Sequence, residues 1–163
     1  MSANPELGLV IVHGAGSYGH FDARQYNIKH GGTVDGQWRE GFCRTRASVL
    51  KLNGLVVGAL IRARVAAVSV EMFPHTCATR DGRITAGTDG GLALTEGLLE
   101  RGLVPVLHGD AVLTSHAADA TCTILSGDVL VRDLCTRLGH VQAAVFLTDV
   151  AGAYTTNPRS IRY

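Results

Sequence analysis

Leu9-Val10-Ile11-Val12-His13-Gly14-Ala15-Gly16-Ser17-Tyr18-Gly19-His20 reads as a strand, a glycine turn and the entry to a helix. Residues 9–12 are apolar and mostly β-branched without polar alternation, the pattern of a strand buried on both faces of a parallel sheet. The glycines then turn the chain and let backbone N–H groups approach an anion, and the N-terminus of the following helix favours the same charge. His20, at the start of that helix, is placed to donate to a phosphate oxygen and, when protonated, to offset charge developing during transfer.

Working outward, the same alternation recurs. Residues 65–70 and 103–107 are two further buried strands, the second ending in His-Gly like the first, and 141–147 is a fourth. Between them lie helical patterns. In 37–64, Trp38, Phe42, Val49, Leu52, Val56 and Leu60 recur at three- to four-residue spacing, with Gly54 and Gly58 marking a bend or a close contact. Residues 87–100 and 127–138 are two more helices; 71–87 reads as a loop or hairpin, 110–124 as a hairpin with its tip near 115–119, and 148–158 as a loop. Strands alternating with helices predict an α/β fold with a mainly parallel sheet. Ligands then gather at the strands' carboxyl ends, where His13-Gly14, His108-Gly109-Asp110 and Thr148-Asp149 stand.

Bulk composition narrows the classes. A chain of 163 residues, 46% hydrophobic and 18% charged, can bury a core as a single globular domain. A net charge of +1 produces no field that would gather nucleic acid or an anionic membrane. No run approaches the roughly 20 apolar residues of a spanning helix. Met1-Ser2-Ala3-Asn4-Pro5-Glu6 lacks the basic start and apolar run of a secretory signal, so a cytoplasmic protein is expected. Cys43, Cys77, Cys122 and Cys135 form no Cys-x-x-Cys pair and read as reduced, packed thiols. Lys29 and Lys51 are the only lysines, and neither sits in a glycine turn.

Several phosphate-binding turns compete for 14–19. Gly14, Gly16 and Gly19 spell G-x-G-x-x-G, yet the acidic residue a dinucleotide site needs, Asp35, falls in the turn-like Gly31-Gly32-Thr33-Val34-Asp35-Gly36 instead of at a strand end. A Walker turn requires Gly-Lys-Ser/Thr, which is absent from the sequence. His13 and His20, with only Asp22 close by, fall short of a complete ligand set, so no metal-ligating residues are assigned. On its own, His20 reads more readily as a helix-start histidine bonded to a carbonyl, and His13 more readily still as structural.

Three later strings decide among these. Val104-Pro105-Val106-Leu107-His108-Gly109-Asp110, Cys122-Thr123-Ile124-Leu125-Ser126-Gly127-Asp128 and Phe146-Leu147-Thr148-Asp149-Val150, in that order after the histidine turn, resemble the isopentenyl phosphate kinases of the amino-acid kinase superfamily. The match runs from Gly8 to about Tyr154, within one partial domain spanning 1–163. The resemblance implies an αβα sandwich, incomplete here, and transfer of the γ-phosphoryl group of ATP, with Mg2+ carried on the nucleotide phosphates, to isopentenyl phosphate in isoprenoid biosynthesis. It implies that His20 and Asp128 are the catalytic pair, His20 stabilising the transition state and Asp128 holding active-site donors in place. Ala15, Gly19, His20 and Gly127 would meet the substrate; Gly14, Gly16, Ser126, Thr148 and Asp149 would meet ATP. A homodimer is implied by resemblance alone. Asp128 also reads as a plain helix cap, and Asp149 as a turn residue. Phe21, Tyr26, Ile28 and Phe42 are candidates for an apolar pocket, or simply core.

The sequence departs from the family in three places. The family opens with a strand ending in a lysine and two glycines that grip ATP, and it continues past Tyr163 through another phosphate-contacting lysine. Val150-Ala151-Gly152-Ala153-Tyr154 stands where Val-Asp-Gly-Val-Tyr is commoner. A fragment of a kinase, with little turnover of its own, is therefore expected. Two alternatives stay open: a sister kinase of the fosfomycin-kinase type acting on a small phosphonate, and a noncatalytic phosphate- or nucleotide-binding domain.

Overall fold

The structure, a computed structural model, describes residues 8–31, 36–73, 77–78, 83–86, 88–114 and 121–147. At its centre is a three-stranded parallel sheet in the order β1 (Ile11–His13), β5 (Val104–His108), β2 (Ala67–Ser69). Ile11, Val12 and His13 stand opposite Val106, Leu107 and His108, so the two His-Gly strand ends lie side by side. This confirms the predicted α/β class with a parallel sheet.

Between β1 and β2 run α1 (Gly16–Gln25), a 3-10 turn at Ile28–His30 and the long α2 (Trp38–Arg62). Next come the short antiparallel pair β3 (Cys77–Ala78) and β4 (Ile84–Ala86), then α3 (Thr88–Leu99). After β5, the antiparallel hairpin β6 (Asp110–Leu113) and β7 (Cys122–Leu125) leads into α4 (Gly127–Arg137). The expected hairpin over 110–124 is thus present, with its tip outside the described residues.

Alternation along β1 and β5 sends neighbouring residues to opposite faces. Val12 and Leu107 turn into a cluster with Leu92 of α3 and Leu130 and Leu134 of α4. Leu107, Leu125 and Leu130 are each at most 1% exposed, and burying such a side chain contributes roughly 1.5–3 kcal/mol. An Arg137–Asp89 ion pair joins α4 to α3 on the surface. His13 and His108 face the other way, where Asn53 of α2 reaches His13.

On that side α2 packs against α1 along Gly41, Thr45, Val49 and Asn53, its buried residues. The contact is close because glycines stand at it: a Cβ on Gly19 would lie 3.0 Å from Val49 Cγ2, and one on Gly41 would lie 2.1 Å from Tyr26 Cβ. Gly54 and Gly58, expected to mark a bend or a close contact, lie inside the continuous helix and mark no contact with another element: Gly54 has open space beside it and Gly58 meets only Arg62 of the same helix.

Two other expectations change. Residues 141–147, expected to be a buried strand, carry no strand and are exposed throughout, with Leu147 at 96%. Apolar β-branched composition selects an extended backbone, but a strand exists only where a neighbouring ladder receives it. The thiols are also not uniformly packed: Cys122 is buried, whereas Cys43 and Cys135 are exposed. Among the described residues no helix is long and apolar enough to cross a membrane.

Candidate functional site

The carboxyl end of the sheet is where the chain's turns converge. His13 leaves β1 and accepts a hydrogen bond through its carbonyl from Gly109 N–H at 3.0 Å, tying the two His-Gly turns together. Gly109 in turn lies so near the β7–α4 junction that a Cβ there would be 3.1 Å from Leu125 O and 3.2 Å from Gly127 N. A Cβ on Gly127 would lie 3.5 Å from His13 O. Residues 13–14, 108–109 and 126–127 therefore share one small region, and the glycines allow it.

Two helices begin there. In α1 the first intrahelical bond is Gly19 N–H to Ala15 O at 3.2 Å, which leaves the amides of Gly16, Ser17 and Tyr18 without intrahelical acceptors, as at any helix start. No side chain caps this end. Gly16 has φ +50, a left-handed conformation that glycine adopts freely, and a Cβ at Gly14 or Gly16 would meet nothing within 4 Å. Open space beside unsatisfied amides at a positive helix end is what an oxyanion of a phosphate fits.

At the second helix, Ser126 is the N-cap of α4, its hydroxyl accepting from Val129 N–H at 3.3 Å. Asp128 lies in the first turn, exposed to solvent. The junction thus has the cap geometry that the sequence allowed as the alternative reading of Asp128, with Ser126 as the capping group.

The helix that was expected to begin at His20 begins at Gly16, which puts His20 in the second turn, exposed. His20 stands four residues after Gly16, on the same face of α1 as the start of the helix. Gly19, expected to contribute to the substrate cradle, lies buried inside α1 with its amide committed to Ala15 O; here it is a packing glycine against Val49. Ala15 is the α1 N-cap residue. Thr148 and Asp149 lie outside the described residues. Of the pocket candidates, Tyr26 and Ile28 are core beside Ala111 and Cys122, Phe42 stacks edge-on against Phe73, and Phe21 is 73% exposed on α1.

Behind these turns, two polar groups of α2 that spacing did not single out, Arg46 and Asn53, meet strand-end residues that it did. Asp110, 2% exposed, receives Arg46 Nε at 3.0 Å, while Arg46 also reaches Glu71 at 3.1 Å and lies over the Phe73 ring. Burial pushes the Asp110 carboxyl above its ordinary range, and the Arg46 guanidinium pulls it back. Asn53 Nδ2 contacts His13 Nε2 at 3.1 Å. Desolvation holds the His13 imidazole below its usual range against the opposing effect of the Gly14 carbonyl, and neighbouring His108 adds to the depression. Repetition of Val-His-Gly at 12–14 and of Val-Leu-His-Gly at 106–109 was the available signal for the histidine pair. Nothing comparable marks Asn53 or Arg46, whose partners lie 40 and 64 residues away.

Among the described residues no three His, Cys, Asp or Glu side chains gather as a metal site.

The sequence profile of the amino acid kinase family matches residues 3–162. An isopentenyl phosphate kinase of Arabidopsis thaliana is 43% identical over 151 residues, covering 92% of this chain and 43% of that protein. One of Methanothermobacter thermautotrophicus is 37% identical over 163 residues, covering 97% of this chain and 58% of the relative. Among solved structures, an isopentenyl phosphate kinase superposes with a TM-score of 0.82 at 37% identity, over 93% of this chain and 60% of that one. The product complex of the Thermoplasma acidophilum isopentenyl phosphate kinase gives 0.73 at 28% identity, over 93% and 58%. The chain spans about half the length of the curated relatives it matches.

Proposed function

This chain belongs to the amino acid kinase family, and on that premise we propose that it carries the acceptor-phosphate half of an isopentenyl phosphate kinase site, in which ATP phosphorylates isopentenyl phosphate to isopentenyl diphosphate. The observation that supports this reading best is the uncapped start of α1, with three amides free of intrahelical acceptors, at the carboxyl end of a parallel sheet and one turn before His20.

Phosphoryl transfer asks a protein chiefly to align donor and acceptor and to neutralise charge spreading over the transferred group. In this reading the amides of 16–18 hold the substrate phosphate and Gly14 keeps the approach open. His20 donates to the same phosphate and, as imidazolium, offsets the charge that builds between the two phosphates. The α4 start, held by the Ser126 cap, presents Gly127 and Asp128 beside the transferring group. Thr148 and Asp149 are proposed nucleotide contacts. Mg2+ accompanies ATP through the nucleotide's own phosphates and supplies charge neutralisation there. A cytoplasmic location and a homodimer complete the proposal, both by similarity to the family.

Calorimetry with isopentenyl phosphate and with Mg-ATP, alongside a coupled ADP-release assay, tests it. Binding of isopentenyl phosphate, with slow ADP release that depends on it, is the expected result. In a full-length version, His20→Ala should lower the rate by about 100- to 1,000-fold, the loss of roughly 2.7–4 kcal/mol typical of removing a transition-state donor. A loss under about threefold removes His20 from that role, and binding without ADP release reduces the function to ligand binding.

A further inference from the structure

We propose that His13 and His108, braced by Asn53, are positioning residues that latch the two His-Gly turns and thereby aim the Ala15 amide at the substrate phosphate. Each ring nitrogen Nδ1 lies against the carbonyl of the glycine that follows it: His13 to Gly14 O at 2.9 Å and His108 to Gly109 O at 3.0 Å. A carbonyl only accepts, so Nδ1 carries the hydrogen in both rings.

The opposite side of His13 agrees. Asn53 Nδ2 is 3.1 Å from Nε2, and an amide NH2 donates to a bare ring nitrogen. His13 is therefore held as the neutral Nδ1–H tautomer from both ends. In His108, Nε2 is buried without a partner among the described residues. A leucine or phenylalanine would fill that space without stranding a buried acceptor, so the position uses histidine for its other nitrogen. The rings stack, 5.6 Å between centroids and 28° apart, and the His13 carbonyl accepts from Gly109 N–H, so the two latches move as a unit. The depressed basicity of His13 is consistent with a ring kept neutral.

What the latch does follows from peptide geometry. A peptide is planar and trans, so fixing the Gly14 carbonyl fixes the Ala15 N–H in the opposite direction. Ala15 is the residue from which α1 departs, and with it the free amides of 16–18. Without the latch Gly14, which has open space around it, could rotate its peptide and turn that donor away. The latch acts on the phosphate cradle proposed above, and its role there stands only with that reading.

Two substitutions separate the nitrogens. In His13→Asn the amide NH2 occupies the Nδ1 position and keeps the bond to Gly14 O; in His13→Gln it reaches the Nε2 position and loses that bond. Isothermal titration of the full chain with isopentenyl phosphate should show His13→Asn within about threefold of wild type and His13→Gln at least tenfold weaker. Long-range 1H–15N correlation spectra of the wild-type imidazoles should show the Nδ1–H tautomer at both histidines near neutral pH. Equal affinity of the two variants, or an Nε2–H tautomer at either ring, overturns the latch while leaving the functional reading intact. Failure of the wild-type chain to bind isopentenyl phosphate overturns the functional reading, and the latch's role with it.

Discussion

Replacing Arg46 by Met tests the electrostatics behind the site. Arg46 bonds Asp110 at 3.0 Å, and the two side chains are 17% and 1% exposed. Removing one partner of a buried pair leaves the other charge uncompensated and typically costs 3–5 kcal/mol. Asp110 keeps the Ala111 N–H at 2.8 Å, and Met keeps an apolar stem over Phe73, so the lower end, about 3 kcal/mol, applies. For a chain of this size each kcal/mol moves the midpoint by about 2–4 °C, giving a fall of roughly 6–12 °C near pH 7. The pH dependence carries a sign. Burial already raises the Asp110 carboxyl, and Arg46 is the largest influence pulling it down. In Arg46→Met the folded chain therefore binds a proton in a range where the unfolded chain has already lost it. Stability of the variant then falls as pH rises through that window and is regained as pH falls, so its deficit shrinks between about pH 7 and about pH 5. Circular-dichroism melts of both proteins at the two pH values measure this, and Asp110→Asn added to Arg46→Met should recover much of the loss. A variant melting within about 2 °C of wild type near neutrality, or a deficit that grows on acidification, would refute the reasoning.

Other outcomes follow from single contacts. In Gly109→Ala the new Cβ would press on Leu125 O at 3.1 Å and Gly127 N at 3.2 Å, both backbone atoms, so a loss of roughly 1–3 kcal/mol is expected in urea unfolding, and an unchanged midpoint would show that the turns are looser than described. Ser126→Ala removes the α4 cap at a cost of about 1 kcal/mol and should speed exchange of the Val129 amide, whereas Ser126→Asp should keep both near wild type. Burial pushes the Cys122 thiol up to about 11, so iodoacetamide near pH 8 should label Cys43 and Cys135 in the folded chain and reach Cys122 only after unfolding. Peptide mass spectrometry reads this directly, and native labelling of Cys122 would contradict its burial.

The order of elements was legible because hydrophobic period and glycine punctuation are local. Ile11–His13, Val104–His108, α2 and the β6–β7 hairpin all lie within a few residues of where pattern alone puts them. The start of α1 was not, since Gly16 enters the helix in a left-handed conformation that sequence does not announce. Residues 141–147 failed for a different reason: composition reports what a strand would accept, not whether a neighbour is there. The turns at 13–14, 108–109 and 126–127 that meet at the sheet's carboxyl end were nameable from motif, but the Arg46–Asp110 pair and the Asn53 brace depend on contacts made by the packing of α2. Gly19 shows the converse, a motif glycine whose place in the fold is set by the helix behind it.

That helix also constrains how such a chain can vary. Gly41, Thr45, Val49 and Asn53 are spaced four apart, so one rigid rod sets the seat of Tyr26, the approach of α1 and the brace on His13. Inserting or deleting one residue between 41 and 53 would rotate everything beyond it by about 100° and misplace those contacts together. The rod works as a ruler: loops elsewhere can gain or lose length one residue at a time, while this span fixes its count as well as the residues on its inward face.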